Sequence, residues 1–138
     1  MLSSSRFIVA VHVMCILARK IGKGPVCSGE IAQSVDTNPV VIRRLMSELE
    51  RSALVCSTAG RSGGFALSKP SGEITLADIY SAVEDSTVFR MHKTNPEADC
   101  PVARQMGEVL VPKLRAAEIA LTNSLATTRL CEVVQAFH

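Results

Sequence analysis

Four side chains within residues 40–51 pose the chemical question: Val40, Arg44, Ser47 and Arg51. At 100° per residue they cluster on one side of a helix. Ile42, Leu45, Met46, Leu49 and Ala53 take the other side, at the i, i+3, i+4, i+7, i+11 spacing of a single buried stripe. A guanidinium can fork onto guanine or clamp phosphate, a hydroxyl can reach either, and a valine can touch a thymine methyl. An outer face of Arg, Ser and Val is therefore one that a major groove accepts. Arg43 adds a cation beside Arg44. Further on, Gly60-Arg61-Ser62-Gly63-Gly64 joins backbone able to approach a sugar–phosphate wall with one cation suited to the minor groove's negative potential. The predicted contact set is Ser28, Thr37, Asn38, Pro39, Val40, Arg43, Arg44, Ser47, Arg51, Arg61, Ser62 and Gly63.

These residues need elements to hold them. Ser28 is the expected N-cap of a short helix with Ile31, Ala32 and Val35 on its apolar stripe. Asp36-Thr37-Asn38-Pro39 then reads as a tight turn, with Thr37 or Asn38 capping the next helix and Pro39 at its first position. Residues 54–59 and 65–68 are strand-like and flank the glycine-rich tip. The switch at Ser52-Ala53-Leu54 lacks the usual glycine, so Ala53 implies an unusual turn or about 1 kcal/mol of strain. Helix, turn, helix and basic-tipped hairpin predict a winged helix–turn–helix: mostly α, with a small β-hairpin wing.

Around that unit, a first helix is expected over roughly 4–20, capped by Ser3, Ser4 or Ser5 and buried on nearly every side. Thr75 and Asp78 form a capping-box-like start for a helix to about Glu84, with Leu76, Ile79, Tyr80 and Val83 facing inward. Residues 85–101 show no periodicity and read as a long loop, a class often functional. Ala103, Gly107, Leu110, Leu114, Ala117 and Leu121, continuing to Leu125, form a narrow heptad seam. Such a seam predicts a helix pairing with its twin. Pro112 should bend or break it. Leu130, Val133, Val134 and Phe137 suggest a last short helix that folds back. The expected organisation is a DNA-binding domain over 1–84, a candidate sensor loop over 85–101, and a dimerisation helix with a terminal helix over 102–138.

The charge is divided along the chain. Residues 1–70 carry nine Lys/Arg against four Asp/Glu, and residues 71–138 carry six against nine, so a net of +2 conceals +5 and −3. Polyanion affinity belongs to the first half. Cys15, Cys27, Cys56, Cys100 and Cys131 include no close pair and no zinc spacing, which argues for a reducing compartment. The apolar run from Phe7 to Ala18 is interrupted by His12, followed by Arg19-Lys20, and too short to span a bilayer. No membrane association and a cytoplasmic location are expected.

Cys100 precedes Pro101 at the expected start of the long helix, where the helix dipole favours thiolate and Asp99 opposes it. It is the candidate redox sensor. The other cysteines read as small hydrophobes at or near the core, and His12 as a hydrogen-bonded core residue. Two competing readings are a thiol enzyme using Cys100, for which no His or Asn base is evident, and a winged helix used only for protein contacts.

Three stretches, taken in order, resemble the Rrf2 family of bacterial winged-helix transcriptional regulators over nearly the whole chain. They are Asn38-Pro39-Val40-Val41-Ile42-Arg43-Arg44-Leu45, Leu54-Val55 leading into Gly60-Arg61-Ser62-Gly63-Gly64-Phe65-Ala66-Leu67, and Ile74-Thr75-Leu76-Ala77-Asp78-Ile79 through Val83-Glu84. The resemblance implies a non-enzymatic homodimer, paired through 102–126 with help from the first helix, on double-stranded DNA at a partly palindromic operator. Members that hold an iron–sulfur cluster use three cysteines in the loop and early long helix. Here 85–110 has Cys100 alone, so a cluster is disfavoured, no metal ligands are assigned and no cofactor is expected.

Overall fold

The computed structural model describes residues 5–84, 88–93 and 95–137. Ser3 and Ser4, two expected caps, and 85–87 with Thr94 in the expected loop lie outside the described residues. Helix α1 (Arg6–Arg19) starts after Ser5, whose own backbone is already helical and whose side chain makes no cap bond. It buries Ala10, Val13, Met14, Cys15 and Leu17. It is not covered all round, however: Ile8 is 65% exposed and His12 lies at the surface. His12 is therefore no core residue; its Nε2 lies 3.4 Å from Ser34 Oγ on the next helix.

Helix α2 (Ser28–Val35) is capped by Cys27, whose sulfur accepts the Glu30 N–H at 3.5 Å, so Ser28 is the first helical residue rather than the cap. Asp36 closes α2 in the left-handed region at φ 61°, a conformation that a short polar side chain tolerates better than most. Helix α3 (Pro39–Arg51) follows with Asn38 as its cap and Pro39 first, as the sequence predicts. Ile42, Leu45, Met46 and Leu49 are buried along one stripe, but Ala53 is exposed and stands beyond the helix. Its φ of 60° is the strained outcome: an alanine doing what glycine does without cost.

Strands β1 (Val55–Thr58) and β2 (Gly64–Leu67) pair antiparallel, with Val55 opposite Leu67 and Thr58 opposite Gly64. A third segment joins them. Val26 N–H donates to Phe65 carbonyl at 2.9 Å, and Phe65 N–H donates back to Val26 carbonyl at 2.8 Å, so the linker before α2 lies against the outer edge of β2. A Cβ on Gly64 would lie 2.4 Å from the Val26 carbonyl oxygen, so only glycine allows this approach.

After a 3₁₀ turn at Ser71–Glu73, helix α4 (Leu76–Val83) opens with the full capping box: Thr75 Oγ1 accepts the Asp78 N–H and Asp78 Oδ2 accepts the Thr75 N–H. Ile79 and Val83 are buried, with Leu76 and Tyr80 partly so. Helix α5 (Pro101–Leu125) runs without interruption through Pro112 and has no buried residue. Helix α6 (Leu130–Gln135) folds back as expected: Leu130 is fully buried in the core formed by α1, α3 and α4, its N–H donating to Ile74 carbonyl at 2.7 Å. Phe137 lies beyond α6, 53% exposed. Among the described residues no helix is long and apolar enough to cross a membrane.

Candidate nucleic-acid interface

The outer side of α3 forms because its inner side is committed. With Ile42, Leu45, Met46 and Leu49 buried, Val40, Val41, Arg43, Arg44, Ser47 and Arg51 have nowhere to go but solvent, and all six are exposed. Val41, 49% exposed, is a member of this surface that the 40/44/47/51 spacing passes over. Isolated exposed valines are ordinary, but Val40 at 53% and Val41 together put two methyl-bearing side chains at the helix's leading turn.

The acids of α3 are engaged within the protein while its cations are left available. Glu48 is paired with Arg6 of α1, and Glu50 accepts the Ser57 hydroxyl of β1 at 2.8 Å. Among the described residues Arg43, Arg44, Arg51 and Arg61 have no carboxylate partner. The surface that would meet a polyanion thus keeps its positive charge uncompensated. The Glu50–Ser57 bond also ties the last turn of α3 to the first strand of the wing. No sequence signal announces that bond, since the two residues belong to different elements with a turn between them.

Individual side chains are partly pre-engaged. Asn38 Oδ1 accepts the Val40 N–H at 2.8 Å, which leaves its amide N–H groups to donate outward. Ser47 Oγ donates to the Arg43 carbonyl at 3.0 Å, so the hydroxyl offers lone pairs rather than its proton to an incoming base or phosphate. Thr37 N–H donates to Ala32 carbonyl at 2.9 Å and closes the turn between the helices. Ser28 is half-buried in the first turn of α2, with exposed Cys27 just before it. Arg61 and Ser62 are exposed at the hairpin tip, and Gly63 N–H donates to Gly60 carbonyl at 3.1 Å. A Cβ on Gly63 would collide with the Thr58 carbonyl oxygen at 2.0 Å, so the glycines serve the tightness of the tip as well as its approach to a ligand.

The cysteines divide differently from expectation. Cys15 is buried, and burial pushes its thiol pKa up. Cys131 is half-buried, whereas Cys27, Cys56 and Cys100 are all exposed, which corrects the core placement of Cys27 and Cys56. Cys100 is the N-cap residue of α5 with Pro101 at the first helical position, and its side chain makes no cap bond. Tyr80 has its phenol pushed up by burial and then by the carboxylates of Glu84 and Glu118. Glu118 also accepts the Val88 and Phe89 N–H groups, at 3.2 and 3.4 Å, and so holds the start of the described loop against α5.

The chain is similar in sequence and fold to known proteins. The family model for Rrf2, described as an iron-dependent transcriptional regulator, matches residues 3–136. The HTH-type transcriptional regulator YwnA of Bacillus subtilis (strain 168) is 33% identical over 132 residues, covering 95% of this chain and 96% of that relative. The HTH-type transcriptional regulator IscR of Cronobacter sakazakii is 32% identical over 77 residues, 56% of this chain and 48% of its own length. Among solved structures, a transcriptional regulator from Lactobacillus plantarum superposes with a TM-score of 0.78 at 26% identity, covering 94% of this chain and 87% of that one. The global cysteine regulator CymR of B. subtilis shares the fold from end to end, with a TM-score of 0.73 at 24% identity and full coverage of both chains.

Proposed function

The chain belongs to the Rrf2 family of DNA-binding transcriptional regulators, and from that premise we propose that it is a homodimeric repressor acting on a partly palindromic operator. The relatives are regulators, not enzymes, so the thiol-enzyme reading falls away. In this reading Arg44, Arg43 and Arg51 contact bases or phosphates, Ser47 and Val40 read base edges, and Ser28, Thr37, Asn38 and Pro39 line the approach. Arg61, with Ser62 and Gly63, enters the minor groove. One observation carries the assignment: both acids of α3 are bound within the protein while its three arginines are not. Two copies paired through 102–126 with α1 would set their α3 helices about 34 Å apart, one turn of DNA. The dimer is supported by α5 itself, a 25-residue helix with no buried residue in a single chain.

Titration of duplexes selected from random DNA tests the contacts. Arg44→Ala is expected to weaken binding by about 1–3 kcal/mol and to relax preference at one position. Arg61→Ala is expected to lower affinity for all sequences and to reduce the salt slope by about one. Unchanged affinity and preference in the first, or an unchanged slope in the second, removes that residue from the interface.

An iron–sulfur cluster does not fit the donors present. Among the described residues no three His, Cys, Asp or Glu side chains are grouped to hold a metal, and Cys100 is the single cysteine between 57 and 130. We read the protein as a cluster-free regulator whose candidate sensor is Cys100, at the junction of the loop and α5. Protein purified without oxygen is expected to be colourless and low in iron; a brown preparation would overturn this.

A further inference from the structure

Arg6, in the first turn of α1, grips two elements at once. Its Nη2 is paired with Glu48 Oε2 on α3, and its Nε donates to the carbonyl of Val83, the last residue of α4, at 3.3 Å. The next residue, Phe7, meets Tyr80 of α4 edge to face, with ring centroids 5.3 Å apart. Helix α4 in turn packs against α5. The first turn of α1 thus bridges α3 and the end of α4, two helices that also pack directly on each other. A guanidinium suits this place because Nε and Nη donate from different positions on a rigid plane, whereas an ammonium is a single point.

Directionality gives the contact its importance. Apart from the Glu50–Ser57 bond to the wing, the remaining hold on α3 is apolar, through Ile42, Leu45, Met46 and Leu49, and apolar contact resists separation far more than rotation. Charge-assisted bonds have fixed direction. Arg6 and Glu48 side chains are 42% and 26% exposed, so solvent weakens the pair and its contribution is geometric more than energetic. A two-fold dimer reads DNA only when its two α3 helices match the half-site separation, so the angle of α3 against α4 and α5 translates into spacing. We infer that Arg6 is a positioning residue that fixes this angle and thereby selects the half-site spacing the dimer accepts. The inference rests on the dimeric-operator reading above.

Operators selected from random DNA by the wild-type protein, remade with one base pair inserted or removed between half-sites, provide the test. The wild type is expected to lose about tenfold in affinity on either change. Arg6→Ala is expected to lose about threefold or less, with unchanged binding to an isolated half-site. Arg6→Lys, which can keep Glu48 but not also Val83, should fall between. Glu48→Ala breaks the same joint from α3 and should reproduce the loss; it carries the test if Arg6→Ala does not fold. Retention of the full spacing penalty in both alanine variants overturns the inference, as does a uniform loss of affinity at every spacing alongside a lowered Tm. A wild type indifferent to spacing overturns the dimeric-operator reading and this inference with it, whereas failure confined to the variants overturns only the role of Arg6.

Discussion

Exposure separates the cysteines more sharply than their sequence surroundings do. Cys100 stands exposed at the N-cap of α5 and its side chain makes no cap bond. Cys27 caps α2, its sulfur already accepting the Glu30 N–H, and Cys56 lies on the outside of β1 near the Ala66 carbonyl. If Cys100 is the sensor, hydrogen peroxide should oxidise its thiol to sulfenic acid, with the peroxide reduced to water. DNA affinity of the wild type should then fall after mild peroxide treatment, and Cys100→Ser should abolish that response while Cys27→Ser and Cys56→Ser preserve it. The measurement is a binding titration before and after oxidation, with mass spectrometry of the labelled sulfenic acid. A response lost in Cys27→Ser instead would move the switch to the α2 N-terminus, beside the proposed DNA contacts. Burial and the raised thiol pKa of Cys15 keep it out of this chemistry.

At the scale of elements, the wing depends on a contact between segments far apart in sequence. The reciprocal bonds between Val26 and Phe65 require the Gly64 backbone to pass where no Cβ can fit. Gly64→Ala is therefore expected to break both bonds, costing about 2 kcal/mol at roughly 1 kcal/mol each, and to free the hairpin from the linker before α2. Denaturant unfolding should register the loss, and the salt slope should move toward that of Arg61→Ala if the wing can no longer hold its arginine in place. The contrast with α3 marks what is legible in a sequence. Cap, proline and apolar stripe all lie within residues 38–51, so local rules locate the helix and its outer face. The Thr75–Asp78 capping box is local in the same way. Ala53 shows the strain that its neighbours imply, because a left-handed residue is forced by the immediate change from helix to strand. The Val26 bridge, the Glu50–Ser57 bond and the Arg6–Glu48–Val83 junction join residues whose proximity is created by the fold, and no spacing rule reaches them. The exposure of His12 on α1 escaped the sequence reading, whereas uncovered apolar surface such as Ile8 agrees with a helix too apolar for one domain's core to cover.

For the whole molecule that question of cover becomes one of assembly. The heptad seam expected on α5 is real as a pattern, but its members are not equivalent: Ala103, Gly107, Leu110, Leu114 and Leu125 are half-buried, whereas Ala117 and Leu121 are exposed. A second line runs in steps of seven, seven and three on another side of the helix, through Val102, Val109, Ala116 and Ile119, and all four are exposed. Val102 is 62%, Val109 59% and Ile119 61% exposed, along with Ile8 of α1. The half-buried line faces partly toward the chain's own body through α4, so the outer line is the one a second copy would gain most by covering. Val109→Glu combined with Ile119→Glu removes no intramolecular burial of consequence and places charge where the partner would pack. The double variant is expected to sediment as a folded monomer with an unchanged circular dichroism spectrum. Its affinity for a two-half-site operator should fall by about a hundredfold, because the second half-site is then no longer bound intramolecularly. Binding to a single half-site should be unaffected, since α3 and the wing are untouched. A variant that remains dimeric would transfer pairing to the Leu110–Leu114 side, and a wild type that is itself monomeric at working concentrations would leave the exposed lines of α5 without the twin that the heptad spacing implies.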